Sequence, residues 1–471
     1  MCMEGPREYP DDHTLFVDCN DSRRAYTFAQ VKELSVAFGR GLKHQLAWAK
    51  GDVLALYAPN DAGVPLDCVL LLGADRDETH RHWTDLSAAG APVQPTKTPV
   101  DPKEDLAYLV YSSGTTGLPK GVQLTHYNVI ANTAQTFKAD IRSLCWDMDS
   151  QIGILPFFHI YGLSVVINST LISGATCYVM PKFDIEATCR LVQERRVTYL
   201  YVPPPIVLLL SKHPVVERYD LSSLRFVNSG AAPLSRELVA AVWQRLSIGV
   251  KQGYGLSETS PVATVQLADE WWRIQGTVGR LVAGMTGKVV DEQGNEVPRG
   301  QTGELLLKGP NVFRGYWRRP ELNKETFTDD GWYKTGDVVY ADQKGYFYVT
   351  DRMKELIKYK GFQVPPAELE DKLLGHKDVA DVGVIGVWDD ERQTEIPRAY
   401  IVARPGVEPS DELARDIIAW LGERVSPPKR LRGGVRFIEA VPKSQAGKIL
   451  RRILKETAKK DERPGKPQAK L

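Results

Sequence analysis

Residues 111–126 read YSSGTTGLPKGVQLTH, and six of the first seven residues of this stretch are Ser, Thr or Gly. The stretch follows an apolar, β-prone segment at 106–111 (LAYLVY) and precedes a helix-like segment at 128–137 (NVIANTAQTF). A strand that leads into a small polar loop can present backbone N–H groups and hydroxyls to an anion. The pattern therefore predicts a phosphate-binding loop.

This loop differs from the phosphate-binding loop of kinases and ATPases. That loop needs Gly-Lys followed by Ser or Thr, whereas Lys120 stands between a proline and a glycine. A second Gly-Lys pair, at Gly447-Lys448, is followed by isoleucine. Phosphoryl transfer of the kinase or ATPase kind is therefore disfavoured. Taken alone, a Ser/Thr/Gly loop is more often a solvated turn, so its interpretation depends on the rest of the chain.

Composition narrows the classes of function. The 471 residues suffice for two or more domains, and 43% apolar with 25% charged residues is typical of a globular protein. A formal net charge of +1 argues against a nucleic-acid or membrane-surface binder, because such proteins use a strong positive field. The six cysteines form no C-x-x-C pair, so neither a zinc site nor a disulfide framework is predicted.

Targeting signals appear at one end only. The most apolar run, at 199–210, is too short to span a bilayer and contains three prolines, so no integral membrane segment is predicted. The N-terminus is polar and acidic, unlike a secretory signal. Residues 458–471 predict a disordered tail ending in Ala469-Lys470-Leu471, close to the Ser-Lys-Leu peroxisomal address. We therefore expect a peroxisomal location, with the peroxisomal import receptor as a partner; otherwise the protein would be cytoplasmic.

Strand-like and helix-like runs alternate through residues 100–300, which predicts an α/β domain. One helix is predicted at 184–197 behind an Asp184 cap, and short strands with Gly and Asn turns from about 282 predict antiparallel or barrel-like β structure. Beyond Asp351 the pattern changes to paired strands and a helix capped by Ser410. We predict domains at 1–351 and 352–457.

Residues 51–60 (GDVLALYAPN) and 64–73 (VPLDCVLLLG) both predict strands, separated by only a few residues. Parallel neighbours need a crossover of a dozen or more residues. The two strands therefore form an antiparallel pair, or intervening elements are missing near 60–64.

Six further motifs accompany the loop at 111–122: PFFHIYG (156–162), NSGAAPLS (228–235), QGYGLSET (252–259), YKTGDV (333–338), DRMKELIKYKGFQV (351–364) and PKSQAGK (442–448). Together they resemble the adenylate-forming superfamily, which includes acyl-CoA synthetases, peptide-synthetase adenylation domains and firefly luciferase, and most resemble its 4-coumarate–CoA ligase type. The resemblance implies an α/β fold in which a large N-terminal domain of packed αβ sheets, with a β-barrel-like subdomain, precedes a small α+β C-terminal lid domain. It also implies an ATP- and Mg²⁺-dependent ligase that joins a carboxylic acid to AMP and then to CoA.

The resemblance also implies roles for individual residues. The nucleotide positions are Ser112, Ser113, Gly114, Thr115, Thr116 and Lys120 around the phosphates, Tyr254 near adenine, Ser257 on a phosphate oxygen, Asp337 and Arg352 on the ribose, and Ala231, Gln252, Gly253, Lys354, Lys358, Gln363 and Lys448. Glu258 would hold Mg²⁺, whose preference for oxygen suits one carboxylate plus phosphate oxygens. Lys182, Lys360 and Gly361 match CoA positions, and Lys354 matches the hinge of the lid. The implied catalytic residues are Lys448, His159, Ser257 and Glu258.

By the same resemblance, the acid would lie against His159, Tyr161, Val165, Ala231, Gly253, Gly255, Pro261 and Val262. The small residues Gly253 and Gly255 would leave a slot for a flat ring. Amino-acid-activating relatives carry an aspartate near the start of the 156–162 motif, and its absence here disfavours an amino acid. An aryl or arylpropenoic acid is the first choice and a medium-chain fatty acid the second.

The chain departs from the superfamily ahead of its phosphate loop. Strands and helices that relatives carry between the segments at 51–60 and 64–73 are missing near 60–64. Loss of sheet elements exposes apolar faces and strand edges. A catalytically impaired variant that still binds nucleotide is therefore an alternative, and luciferase-like oxidation of the adenylate is a third.

Overall fold

The computed structural model describes residues 7–50, 52, 54, 70–71, 81–88, 98–112, 119–139, 144–232, 234–444 and 447–461. Nearly all of the predicted strand at 51–60, the expected missing elements near 60–64 and the C-terminal tripeptide lie outside these residues. So do four residues of the predicted phosphate loop, Ser113, Gly114, Thr115 and Thr116. Of the predicted strand at 64–73, Leu70–Leu71 is described, and it pairs in parallel with Arg81–His82.

The described strands are β1 (Thr14–Asp18), β2 (Ala25–Thr27), β3 (Leu70–Leu71), β4 (Arg81–His82), β5 (Leu106–Ser112), β6 (Lys120–Thr125), β7 (Ser150–Gly153), β8 (Thr176–Val179), β9 (Tyr199–Val202), β10 (Phe226–Ser229), β11 (Gly249–Gly255), β12 (Val262–Val265), β13 (Arg280–Leu281), β14 (Thr286–Val290), β15 (Gly303–Lys308), β16 (Tyr333–Ala341), β17 (Phe347–Arg352), β18 (Ile357–Tyr359), β19 (Phe362–Val364), β20 (Val379–Asp389), β21 (Thr394–Ala403) and β22 (Val435–Phe437).

The described α-helices are α1 (Phe28–Gln45), α2 (Trp83–Ala88), α3 (His126–Ala139), α4 (Asn168–Ser173), α5 (Ile185–Arg195), α6 (Pro204–Lys212), α7 (Arg236–Leu246), α8 (Pro320–Thr326), α9 (Pro366–Leu374), α10 (Asp411–Gly422) and α11 (Arg451–Asp461). A π-helical turn at Tyr161–Ile167 precedes α4. No helix in the described part of the chain combines the length and the apolar character that a membrane span requires.

The large domain is built on one twisted sheet, as the alternating pattern predicts. Nine described strands lie in the order β13-β12-β11-β10-β9-β7-β8-β1-β2, parallel from β11 to β1 and antiparallel at both edges. Helices α5, α6 and α7 bury their apolar faces on β7, β9, β10 and β11. The predicted α/β class is confirmed. Because the carboxyl ends of parallel strands meet at one edge, the motifs that follow β10 and β11 lie side by side.

Local sequence explains where these helices begin. The Asp184 carboxylate accepts the Ala187 N–H at 2.7 Å and caps α5, as predicted. The prolines that end β9 are also the first residues of α6, a position where a missing N–H removes no helical hydrogen bond. A strand and the next helix are therefore joined at Pro203, directly beside the edge of the sheet.

A second sheet confirms the antiparallel structure that is predicted from about residue 282. Strands β14, β15, β16 and β17 pair in that order, each antiparallel to the next. The outer strands β14 and β17 do not pair with each other in the described residues, so this sheet is open rather than a closed barrel.

The smaller C-terminal domain has its own core. The antiparallel pair β20 and β21 carries β22 at its edge and packs on α9, α10 and α11. Ser410 caps α10, as predicted. Helix α11 continues to Asp461, so residues 458–461 are helical, and the prediction that they belong to a disordered tail is wrong for these four residues. The predicted boundary at residue 351 falls within β17 and stays a prediction.

Candidate functional site

A cavity of about 720 Å³ lies at the carboxyl edge of the main sheet and reaches the small domain. Residues of both domains line it, including Ser444 and Lys448 from the loop between β22 and α11. The predicted site residues that the structure brings together around the cavity are Ser112, Lys120, His159, Tyr161, Val165, Ala231, Gly253, Tyr254, Gly255, Ser257, Glu258, Pro261, Val262, Arg352, Lys354 and Lys448.

Other predicted residues do not line this cavity. Gln252 is buried in β11, and Asp337 is buried behind two lining residues. Among the predicted CoA positions, Lys182, Lys360 and Gly361 are exposed outside the cavity. Lys358 and Gln363 also lie outside it, on the hairpin of β18 and β19.

The part of the cavity that is lined by the residues predicted to contact the acid is shaped by close packing. A Cβ on Gly255 would meet the Pro261 carbonyl oxygen at 2.1 Å, and one on Gly230 would lie 3.2 Å from the Tyr161 ring. The glycine at 255 is therefore required by the close approach of β12, and not by the width of a ligand slot alone. This is a different reason from the one that the sequence suggested.

His159 is held as a neutral ring. Burial lowers its pKa, because the charged form loses its hydration. Its Nδ1 accepts the Tyr161 backbone N–H at 3.2 Å, which assigns the ring proton to Nε2. His159 can therefore donate a hydrogen bond into the cavity without carrying a positive charge.

Tyr254, Asp337 and Arg352 form one hydrogen-bonded cluster. The Tyr254 hydroxyl donates to Asp337 Oδ2 at 2.6 Å, and Arg352 Nε lies 3.1 Å from Asp337 Oδ1. Burial raises the pKa of Asp337, while the Arg352 guanidinium and the Tyr254 hydroxyl act against that rise. The cluster places a buried carboxylate and a cation beside the cavity, a combination that suits a polyhydroxylated ligand with negative charge.

Another region of the cavity wall joins Lys120, Glu258 and Tyr316. The Tyr316 hydroxyl donates to Glu258 Oε1 at 2.8 Å, and the Lys120 ammonium lies 5.0 Å from the centre of the Tyr316 ring. Glu258 supplies hard carboxylate oxygen, which fits Mg²⁺ when phosphate oxygens complete the shell. The region around Lys120, Glu258 and Tyr316 can accept phosphates and a divalent cation.

Lys448 reaches the cavity on a tight loop of the small domain. Gly447 has a φ of +81°, and a Cβ there would lie 3.1 Å from Pro203 of the large domain. Glycine therefore allows the loop both its left-handed turn and its close approach. Burial, with a further contribution from Arg352, lowers the pKa of Lys448 to about 8. Glu355 lies 3.9 Å from the Lys448 ammonium but pairs more closely with Arg451, at 2.6 Å.

Sequence reasoning missed several residues of the site. Tyr316 and Asn228 line the cavity, and Glu355 with Arg451 surrounds Lys448. Tyr316 stands in the segment NVFRGYWRRP (311–320), outside every motif quoted above, so the motifs carry no signal for it. Asn228 stands at the end of a predicted strand directly before a small-residue loop, which is a usable signal.

Comparison with known proteins places the chain in a family. The AMP-binding enzyme family matches residues 61–317, more than half of the chain, and the AMP-binding enzyme C-terminal domain matches residues 368–448. Probable 4-coumarate–CoA ligase 1 of Dictyostelium discoideum is 41% identical over 360 residues, which cover 76% of this chain and 64% of that protein. 4-Coumarate–CoA ligase 1 of Petroselinum crispum is 42% identical over 358 residues, covering 75% and 65%.

The chain thus spans just under two thirds of the length of these relatives. Among solved structures, ATP-bound MatB from Rhodopseudomonas palustris has a TM-score of 0.79 at 27% identity, covering 96% of this chain and 97% of that one. This chain and MatB therefore share one fold over nearly the whole of both chains. Together with the family match across both domains, this shows that the chain belongs to the AMP-binding enzyme family.

Proposed function

We propose that the protein is an acid–CoA ligase that consumes ATP, releases pyrophosphate and AMP, and forms an acyl-adenylate as its intermediate. One observation carries the proposal: a lysine of the small domain, Lys448, faces the same cavity as the phosphate-loop and carboxylate motifs of the large domain. The relatives named above, which are called 4-coumarate–CoA ligases, support the same activity.

In the first half-reaction, a carboxylate oxygen of the acid attacks the α-phosphorus of ATP, and the bond to pyrophosphate breaks. Both reactants are anionic, and unit charges about 4 Å apart repel by roughly 4 kcal/mol at an effective dielectric of 20. Lys448 would offset this repulsion between the carboxylate and the α-phosphate. Ser112, Ser257 and Lys120 would hold the phosphates, and Asp337 with Arg352 the ribose.

Mg²⁺, when bound at Glu258, would neutralise part of the phosphate charge. His159, neutral and donating from Nε2, would orient the acid's carboxylate without pairing with it as a cation. Each of these roles is assigned to a group that lines the cavity or contacts a lining residue.

In the second half-reaction, the CoA sulfur attacks the acyl carbonyl carbon, the bond to the AMP phosphate oxygen breaks, and the thiol proton passes to solvent or to the AMP phosphate. Lys360 and Gly361 now lie outside the cavity. We propose that the small domain rotates about Lys354. This rotation would withdraw Lys448 and bring Lys360 and Gly361 to the route by which the CoA thiol reaches the acyl-adenylate. Lys182, Lys358 and Gln363 stay predictions as CoA and nucleotide contacts.

The substrate class is testable with a panel of acids. Pyrophosphate release should be fastest with arylpropenoic or other aryl acids, slower with medium-chain fatty acids and near background with α-amino acids, because the motif at 156–162 offers no carboxylate to pair an amine. A preference for an α-amino acid would refute this assignment. Released pyrophosphate, counted against thioester formed, checks the reaction class.

The pH dependence of adenylation should follow the protonation of the Lys448 ammonium. Because kcat/KM reflects the free enzyme, and the pKa of Lys448 is about 8, the charged fraction falls as the pH rises through that value. We expect kcat/KM for adenylation to fall about tenfold per pH unit above it. Lys448→Arg should give a lower but flat profile over the same range, since arginine stays charged. The same decline in Lys448→Arg would assign the titration to another group.

The impaired variant remains the alternative, because the sequence lacks strands and helices that we expect near 60–64. Acid-dependent exchange between ATP and pyrophosphate, with a cooperative thermal melt, would support the ligase. ATP binding by a cooperatively folded protein without exchange would support the variant. Oxygen uptake would be needed to support luciferase-like oxidation.

The peroxisomal location also stays a proposal, and deletion of Ala469-Lys470-Leu471 from a fluorescent fusion should abolish it.

A further inference from the structure

Tyr316 touches both residues that the proposed function assigns to the metal and the phosphates. Its hydroxyl donates to Glu258 Oε1 at 2.8 Å, and its ring centre lies 5.0 Å from the Lys120 ammonium. Tyr316 lines the cavity yet is only 7% exposed. The carboxylate of Glu258 is buried as well, and a buried charge needs a donor. Among the residues that the structure describes, Tyr316 is the side-chain donor recorded for it.

The backbone of Tyr316 is held by three contacts, and its ring packs against a second aromatic ring. The Tyr316 N–H donates to Asn323 Oδ1 at 2.7 Å, and Asn323 Nδ2 donates to the Tyr316 carbonyl at 3.1 Å. The Phe313 ring contacts it edge-on, with 5.0 Å between centres. Its backbone also bridges to Val122, two residues after Lys120. Such a side chain can fix the position of a partner, because little of its own freedom remains to be lost.

We propose that Tyr316 is a positioning residue for the metal and phosphate end of the site. Its hydroxyl donates to one oxygen of Glu258, so that the other oxygen of the carboxylate would be available to hold Mg²⁺. The face of its ring guides the Lys120 ammonium toward the phosphates. The inference rests on the proposed function, because it assumes that Mg²⁺ and ATP bind in this cavity.

Tyr316→Phe removes the hydroxyl and keeps the ring. We expect the Kd for ATP, measured by calorimetry with excess Mg²⁺, to rise about tenfold, the typical loss of one hydrogen bond to a charged group. With EDTA in place of Mg²⁺, the Kd should equal that of the unchanged protein. The KM for ATP should rise by the same factor, while conversion of supplied acyl-adenylate to thioester should not change.

Tyr346→Phe is a matched control. The Tyr346 hydroxyl also donates to a glutamate, Glu270 Oε2, at 2.8 Å, and Tyr346 is also 7% exposed, but neither residue lines the cavity. Its loss of stability should be no larger than that of Tyr316→Phe, because Glu270 is partly exposed whereas Glu258 is buried. The ATP affinity should not change. In a Glu258→Gln background, Tyr316→Phe should have no further effect on the Mg²⁺ dependence, because the two residues act through one interaction.

The outcomes separate this inference from the proposed function. Equal losses of ATP affinity with Mg²⁺ and with EDTA, or no loss in either, would refute the role of Tyr316 while leaving the ligase intact. An unchanged protein that binds Mg·ATP but forms no adenylate with any acid would refute the ligase alone. A loss confined to the Mg²⁺ condition, absent from Tyr346→Phe, would support the inference.

Discussion

Replacement of Lys448 with alanine is expected to slow acyl-adenylate formation by about 10²–10³-fold, the usual loss when one charge-stabilising group is removed from a transition state. The Lys448 ammonium is the cation that the small domain brings into the cavity, and its desolvated position strengthens its effect on nearby charge. Conversion of supplied acyl-adenylate to thioester should continue at nearly the original rate. The two half-reactions are measured separately, by pyrophosphate release and by thioester formation.

The fold should tolerate this change. Glu355 keeps its 2.6 Å pair with Arg451, so removal of Lys448 leaves no buried carboxylate without a partner. Lys443→Ala, on the same loop, removes a lysine that pairs with Asp381 at 2.6 Å and does not line the cavity. This control should keep both half-reactions within about threefold, because partly exposed ion pairs contribute little. Equal loss of both half-reactions in Lys448→Ala would contradict the proposed division of labour.

Asp337→Asn is expected to weaken ATP binding about a hundredfold, since two hydrogen bonds from ribose hydroxyls would lose their charged acceptor. The same change should lower the free energy of unfolding by about 2 kcal/mol, because Arg352 loses its partner at 3.1 Å. Calorimetric titration with ATP and with 2′-deoxy-ATP tests the ribose contact directly. The unchanged protein should bind ATP more tightly than 2′-deoxy-ATP, and Asp337→Asn should bind the two nucleotides equally.

Asp351→Asn serves as the control for this prediction. Asp351 is buried, lies on the strand beside Asp337 and accepts the backbone N–H groups of Ala367 at 3.0 Å and Arg352 at 2.7 Å. Unlike Asp337, it makes no described hydrogen bond or ion pair with a side chain that lines the cavity. The control should lose stability while keeping the ATP Kd within about threefold. If Asp351→Asn weakens ATP binding as much as Asp337→Asn does, the effect of Asp337 is structural and the ribose assignment is wrong.

Much of the architecture could be predicted from local patterns. Local signals can be recognised from the sequence because each acts over a few residues. They are the Asp184 and Ser410 caps, the prolines after β9 and the alternation of strands and helices. The motifs likewise identified sixteen residues that line one cavity. The outlying positions Lys182, Lys360 and Gly361 were named by resemblance, and they lie outside the cavity.

The sequence by itself determined the α/β class and the order of a large and a small domain, because these depend on short-range periodicity. Its motifs, through their resemblance to a known superfamily, supplied the residues that are proposed to bind phosphate, ribose and acid. Only the tertiary structure decided that Tyr316 joins Glu258 to Lys120. It alone also showed that Gly255 is required by close backbone approach, and Gly447 by its left-handed turn and its approach to Pro203. Residues 58 positions apart, such as Glu258 and Tyr316, meet because the turn at Ser257–Thr259 packs against the segment between β15 and α8, where the Phe313 N–H donates to the Glu258 carbonyl at 2.9 Å. Burial of this kind, which also lowers the pKa of Lys448, exists only once the chain is folded.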